Sequence, residues 1–239
     1  MLKNVLVLTI ALMATSAQAE EVHPYFQLKS AQVTEVTDLY PETSMMKVSP
    51  FADCDATGVG VNNVEEAKDV NPLNAVEIFV DQIINIGKKI WAIIDAGRPV
   101  VNVNLSMANA LPRGLACWTD LEGWQMPQSK VYRVSYENGF GAEVVTFDYR
   151  VSFVAGGSHN GVGQYITNAQ MMPATLDVSW GFNFDAQAEV PAVFNMGSKS
   201  QPVAGMQMVM KWKVNTAFQH MEESESYHIS GNNKLIKMQ

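Results

Sequence analysis

Residues 143–154 read EVVTFDYRVSFV, and the fold turns on this stretch. Val145, Phe147, Tyr149, Val151 and Phe153 fall on one side of an extended chain, and Thr146, Asp148, Arg150 and Ser152 on the other. Side chains of a strand alternate between faces, so this period of two predicts an antiparallel strand with one buried face. The pattern recurs in Leu176, Val178, Trp180, Phe182 and Phe184 against Asp177, Ser179, Asn183 and Asp185. It returns in Met206, Met208, Met210, Trp212 and Val214 opposite Gln207, Lys211 and Lys213. Weaker strands are expected over 100–107, 130–136 and 162–168, with a last hairpin around Gly231-Asn232-Asn233. Asn138-Gly139-Phe140-Gly141, residues 156–161 (GGSHNG) and Asn195-Met196-Gly197 supply turns between them.

Upstream, Asn71-Pro72 carries a helix-start signal. Glu77, Asp81, Asn85 and Lys88 then recur at spacings of four or three among Leu73, Val76, Phe79, Val80, Ile83, Ile84, Ile90, Trp91 and Ile94. This spacing predicts an amphipathic helix of about six turns, ended by Gly97-Arg98-Pro99. Gly87 inside it marks a close approach to a neighbour or a bend. The expected class is α+β, mostly β: an antiparallel β-sheet or β-sandwich of about 6–8 strands packed with one long amphipathic helix.

The chain has 239 residues, 17% of them charged, with 16 Lys and Arg against 24 Asp and Glu. A net charge of -8 without a basic stripe argues against a nucleic-acid partner. Residues 1–19, MLKNVLVLTIALMATSAQA, combine Lys3, an apolar run from Val5 to Met13 and the pair Ala17, Ala19. They read as a secretory signal peptide cleaved after Ala19, with an apolar run too short to span a bilayer. Its removal takes one Lys and no acid, leaving 15 positive and 24 negative charges. The product is expected in the periplasm or outside a bacterial cell. Residues 20–70 are expected to wrap irregularly, with room for one short strand, and 71–239 to form a single domain.

In an oxidising compartment Cys54 and Cys117 favour one disulfide, the alternative being two buried thiols. The histidines at 23, 159, 220 and 228 are scattered, and no CxxC is present, so no metal site is expected. Met206, Met208 and Met210 line one strand face and offer thioethers to Cu(I), although continuation into Trp212 and Val214 favours core packing. GxSxG, HExxH, P-loop and GxGxxG-helix signatures are missing, so neither an enzymatic activity nor a cofactor is expected.

The candidate ligand surface is Trp118, Asp120, Glu122 and Trp124, with His159 in a glycine-rich turn. Exposed tryptophans beside acids suit a glycan; the competing reading has both rings anchor an irregular crossing to the core, and His159 sit on a solvated hairpin tip. Asp120 and Glu122 are also the nearest candidates for a carboxylate pair. The expected role is a non-enzymatic exported envelope protein of structural or binding type, its partner an envelope component, a glycan or a small apolar ligand. Two alternatives are an outer-membrane β-barrel and a periplasmic carrier. The carrier would hold its ligand between helix and sheet, near Phe147, Trp180, Phe182, Met208 and Trp212.

Overall fold

The computed structural model describes residues 22–41, 78–100, 107–115 and 117–238. The signal segment, Cys54 and the expected helix start at Asn71-Pro72 lie outside the described residues, as does most of the strand expected over 100–107. The strands are β1 (Gln32–Glu35), β2 (Phe79–Gly87), β3 (Ile90–Asp95), β4 (Arg98–Pro99), β5 (Ala108–Arg113), β6 (Gln128–Glu137), β7 (Glu143–His159), β8 (Val162–Val178), β9 (Asn183–Asn195), β10 (Ala204–Asn215), β11 (His220–Ser230) and β12 (Lys234–Met238). They form two antiparallel six-stranded sheets, ordered β1-β6-β7-β8-β5-β2 and β12-β11-β10-β9-β3-β4.

The alternation that defines β7 works as expected on its inner side. Val145, Phe147, Tyr149, Val151 and Phe153 are fully buried, and Met206, Met208, Met210, Trp212 and Val214 of β10 meet them from the second sheet's inner face. Phe147 lies 5.0 Å from Phe184 across the interface. The buried polar tips find partners: the Tyr149 and Tyr227 hydroxyls are 2.6 Å apart, and Trp212 Nε1 donates to Tyr136 Oη at 2.9 Å. The methionines thus serve as packing groups between the sheets.

The expected helix is absent. Phe79–Gly87 and Ile90–Asp95 are strands of different sheets, and among the described residues there is no α-helix, only short 3-10 turns at Pro24–Phe26, Thr37–Leu39 and Trp118–Asp120. The physical reason is an ambiguity of period. Asp81 and Asn85 are one helical turn apart, but also two strand repeats apart, so their spacing suits both. Val80, Ile83, Ile84, Ile86, Ile90, Ile93 and Ile94 are β-branched and favour the pleated form. Gly87 does mark a close approach: its φ is +120°, and a Cβ there would stand 2.4 Å from the Met107 carbonyl oxygen. Ala96 and Gly97, at φ 47° and 69°, make the two-residue turn between β3 and β4 where a helix stop was expected.

The apparent single strand through Leu176–Phe184 is also two. β8 ends at Val178 in one sheet and β9 begins at Asn183 in the other, so residues 179–182 form a corner. Gly181 has φ +85°, a left-handed conformation that glycine adopts without the Cβ penalty. Trp180, expected among the core-facing residues, is 82% exposed at the tip. The carrier reading therefore loses its helix and one lining residue, while Phe147, Phe182, Met208 and Trp212 are buried in the core cluster.

Outward faces are less exposed than their charges suggest. Asp148, Arg150 and Ser152 lie on β7's outer side and are all buried. Arg133 forks onto Asp148, Tyr40 Oη donates to the same carboxylate, and Arg150 Nη1 donates to Ser129 Oγ at 2.7 Å.

Candidate functional site

The strand register gathers four chain segments at one end of the molecule. Glu137 pairs with Glu143, Val145 with Val178, and Asn215 with both Asn183 and His220. The turns 138–142, 179–182 and 216–219 therefore emerge together, and the 3-10 turn Pro24–Phe26 packs among them. Gly139 N donates to the Pro24 carbonyl at 2.8 Å, and a Cβ on Gly139 would stand 2.7 Å from that oxygen.

Each of the three turns presents an exposed ring: Phe140 is 67% exposed, Trp180 82% and Phe218 56%. Phe26 links two of them, its ring 6.4 Å from Trp180 and 5.6 Å from Phe218, with Phe182 at 6.2 Å behind. His23 stands edge-on to Phe140 at 5.9 Å. The sequences NGFGA, SWGF and TAFQ contain no charged residue.

The backbone of these turns is held from within. Asn138 Oδ1 accepts from the N–H groups of Phe140 and Ala142, both at 3.0 Å. Thr216 Oγ1 accepts from Phe218 N at 3.1 Å and Gln219 N at 2.9 Å. Phe182 N donates to Ser179 O at 3.2 Å, and Tyr25 Oη donates to the Trp180 carbonyl at 3.0 Å. These are the local side-chain bonds that Asn and Thr characteristically offer in turns. The rings are exposed because the turn geometry holds them outward.

The candidate surface expected from sequence lies elsewhere. Glu122 forms an antiparallel bridge with Ser158, and Gln125 N donates to the Ala155 carbonyl at 2.9 Å, so residues 117–127 cross the far end of β7. Thirteen residues of strand separate Ser158 from Val145, about 40 Å. Trp118 and Trp124 meet edge-on with centroids 6.3 Å apart, Trp124 Nε1 donates to the Trp118 carbonyl at 3.3 Å, and both rings are part-buried against the core. Asp120 and Glu122 are exposed, and His159 is half-buried beside Asn160, Nε2 to Nδ2 3.2 Å. The Cys117 Sγ lies 2.8 Å from Thr119 Oγ1; Cys54 is outside the described residues. No group of three or more His, Cys, Asp and Glu side chains among the described residues is arranged to hold a metal.

A concavity of about 600 Å³ lies on the outer face of β9–β11 and is lined by Asp185, Gln187, Lys211, Lys213, Glu222 and Ser224. Its lysines are matched to acids, Lys211 to Glu189 at 2.7 Å and Lys213 to Asp185 at 3.6 Å. Alternation along 176–184 puts Trp180 on a core face, and no periodic pattern marks Phe218. The available signal was Gly181 inside a strand pattern, which marks a bulge or a turn. No protein-family model, curated protein or solved structure matches this chain.

Proposed function

We propose that this chain is an exported, non-enzymatic envelope protein of binding type that docks through its aromatic end. The observation that carries the reading is that three turns, far apart in sequence, each hold an exposed ring at the same end and contain no charge. Contiguous exposed apolar surface costs solubility and is characteristic of interaction sites. Export is supported by the composition of residues 1–19. It would place Cys54 and Cys117 under oxidising conditions as a disulfide pair; unreduced mature protein would then weigh two hydrogens less than reduced protein.

The barrel alternative asks for an apolar outer belt and a polar lumen. Here the large apolar side chains point between two sheets and Lys211 and Lys213 point outward, which favours the two-sheet binding protein.

Fractionation of cells expressing the full chain tests the proposal. Wild type should co-sediment with the envelope with its N-terminus at Glu20, and the variant Phe140→Ala/Trp180→Ala/Phe218→Ala should move to the soluble fraction. Unchanged distribution of that variant would refute the role of the aromatic end.

A further inference from the structure

We infer that the partner of the aromatic end is a lipid surface, and one without net negative charge; this rests on the docking role proposed above. Three observations favour lipid over a protein or peptide. First, the rings stand on turn tips at 56–82% exposure and project outward, whereas peptide and small-ligand sites are typically grooves or concavities. A soft interface accommodates projecting rings without a matching shape.

Second, the N–H groups of Phe140, Ala142, Phe182, Phe218 and Gln219 and the carbonyl of Trp180 already have partners inside the protein. Turn backbone that enters a membrane interface loses water, and each polar group left unpaired would cost several kcal/mol in hydrocarbon. These groups would enter with their hydrogen bonds kept. A turn that only faces water has no such requirement. Tryptophan is also the side chain most suited to the interfacial layer, where its ring is buried and its N–H stays wet.

Third, the charges behind the rings select the type of surface. Lys29 is paired with Glu137 at 2.8 Å and Lys213 with Asp185 at 3.6 Å, while among the described residues Glu143 and Asp177, within two residues of the turns, have no lysine or arginine ion pair, and Glu222 meets only His220 at 2.9 Å. Arg98, in the adjoining β3–β4 hairpin, has the acid Asp95 as its strand partner, so acids outnumber unmatched cations in this collar and repel anionic headgroups. A zwitterionic surface avoids that repulsion.

The test uses mature protein and vesicles of phosphatidylcholine, with and without bromine on the acyl chains, and a parallel set containing phosphatidylglycerol. Wild type should co-sediment with phosphatidylcholine vesicles, and its fluorescence should shift to the blue and be quenched by the brominated lipid. Trp91 and Trp212 are buried and Trp118 and Trp124 lie at the opposite end, so Trp180→Phe should keep binding within about twofold and lose that quenching. Trp180→Ala should weaken partitioning about tenfold, and the triple alanine variant should not bind. Anionic lipid should weaken binding at low salt.

The wild-type quenching measurement needs no variant and so stands even where a substitution perturbs folding. Absence of binding to phosphatidylcholine, quenching that persists in Trp180→Phe, or preference for anionic vesicles would overturn the inference. If vesicles fail while the triple variant still leaves the envelope fraction in cells, the docking role survives and its partner is a protein.

Discussion

Arg133 grips Asp148 with two parallel hydrogen bonds, Nε to Oδ1 and Nη2 to Oδ2, each 2.8 Å long, and the carboxylate is fully buried. The carboxylate's hydrogen bonds hold the guanidinium well above its ordinary pKa, so Arg133 stays protonated. Removing the arginine alone leaves a buried negative charge. Arg133→Met should therefore cost about 3–5 kcal/mol in urea unfolding, while Arg133→Met combined with Asp148→Leu should recover most of the loss. Equal destabilisation by both variants would contradict this account.

Gly157 determines how the Trp118–Trp124 crossing sits. A Cβ there would stand 2.4 Å from the Trp124 ring, so Gly157→Ala should displace the indole, cost about 1–3 kcal/mol and raise acrylamide quenching. At Gly161 nothing lies within 4 Å, but φ is +75°, so Gly161→Ala should cost about 1–2 kcal/mol by backbone strain alone with quenching unchanged.

Asn85 buries both polar atoms of its carboxamide without a hydrogen-bond partner among the described residues. Burial without compensation is costly, and an apolar side chain of similar shape avoids it. Asn85→Leu should raise stability by about 1 kcal/mol. A lower unfolding midpoint would mean that the amide is satisfied in solution, for example by a bound water.

His228 stacks on Phe194 with centroids 5.6 Å apart, and Nε2 lies 3.3 Å from Met196 Sδ. Burial lowers its pKa, so between the folded and unfolded values the unfolded chain binds more protons. Stability from this site is therefore present above the ordinary histidine pKa, about 6.5, and declines as pH falls through and below it. Melting temperature should drop between pH 7 and 5.5 in wild type, and by less in His228→Gln.

Much of the sheet framework is legible in the sequence. The inner faces of β7 and β10 follow from strict alternation, and the final hairpin from its turn residues Gly231-Asn232-Asn233, where Asn233 takes φ 65°. What misleads is a pattern that two structures share. The apolar residues between Phe79 and Ile94 suit a helix of broad apolar face as well as two β-branched strands, and partners across the sheets decide between them. Leu176–Phe184 keeps its alternation through a corner, because a turn of even length preserves parity while the chain passes from one sheet to the other.

By itself the sequence determined the mostly antiparallel β class, the identity of the main core faces and the acidic, low-charge character of the chain, since these depend on local period and on composition. Only the tertiary structure decided that Trp180 faces outward, that Asp148 is buried, and that Phe140, Trp180 and Phe218 meet Phe26's end of the molecule. Those outcomes depend on which strands pair and at what register, and a difference of one residue at a corner is enough to turn a core ring into an exposed one.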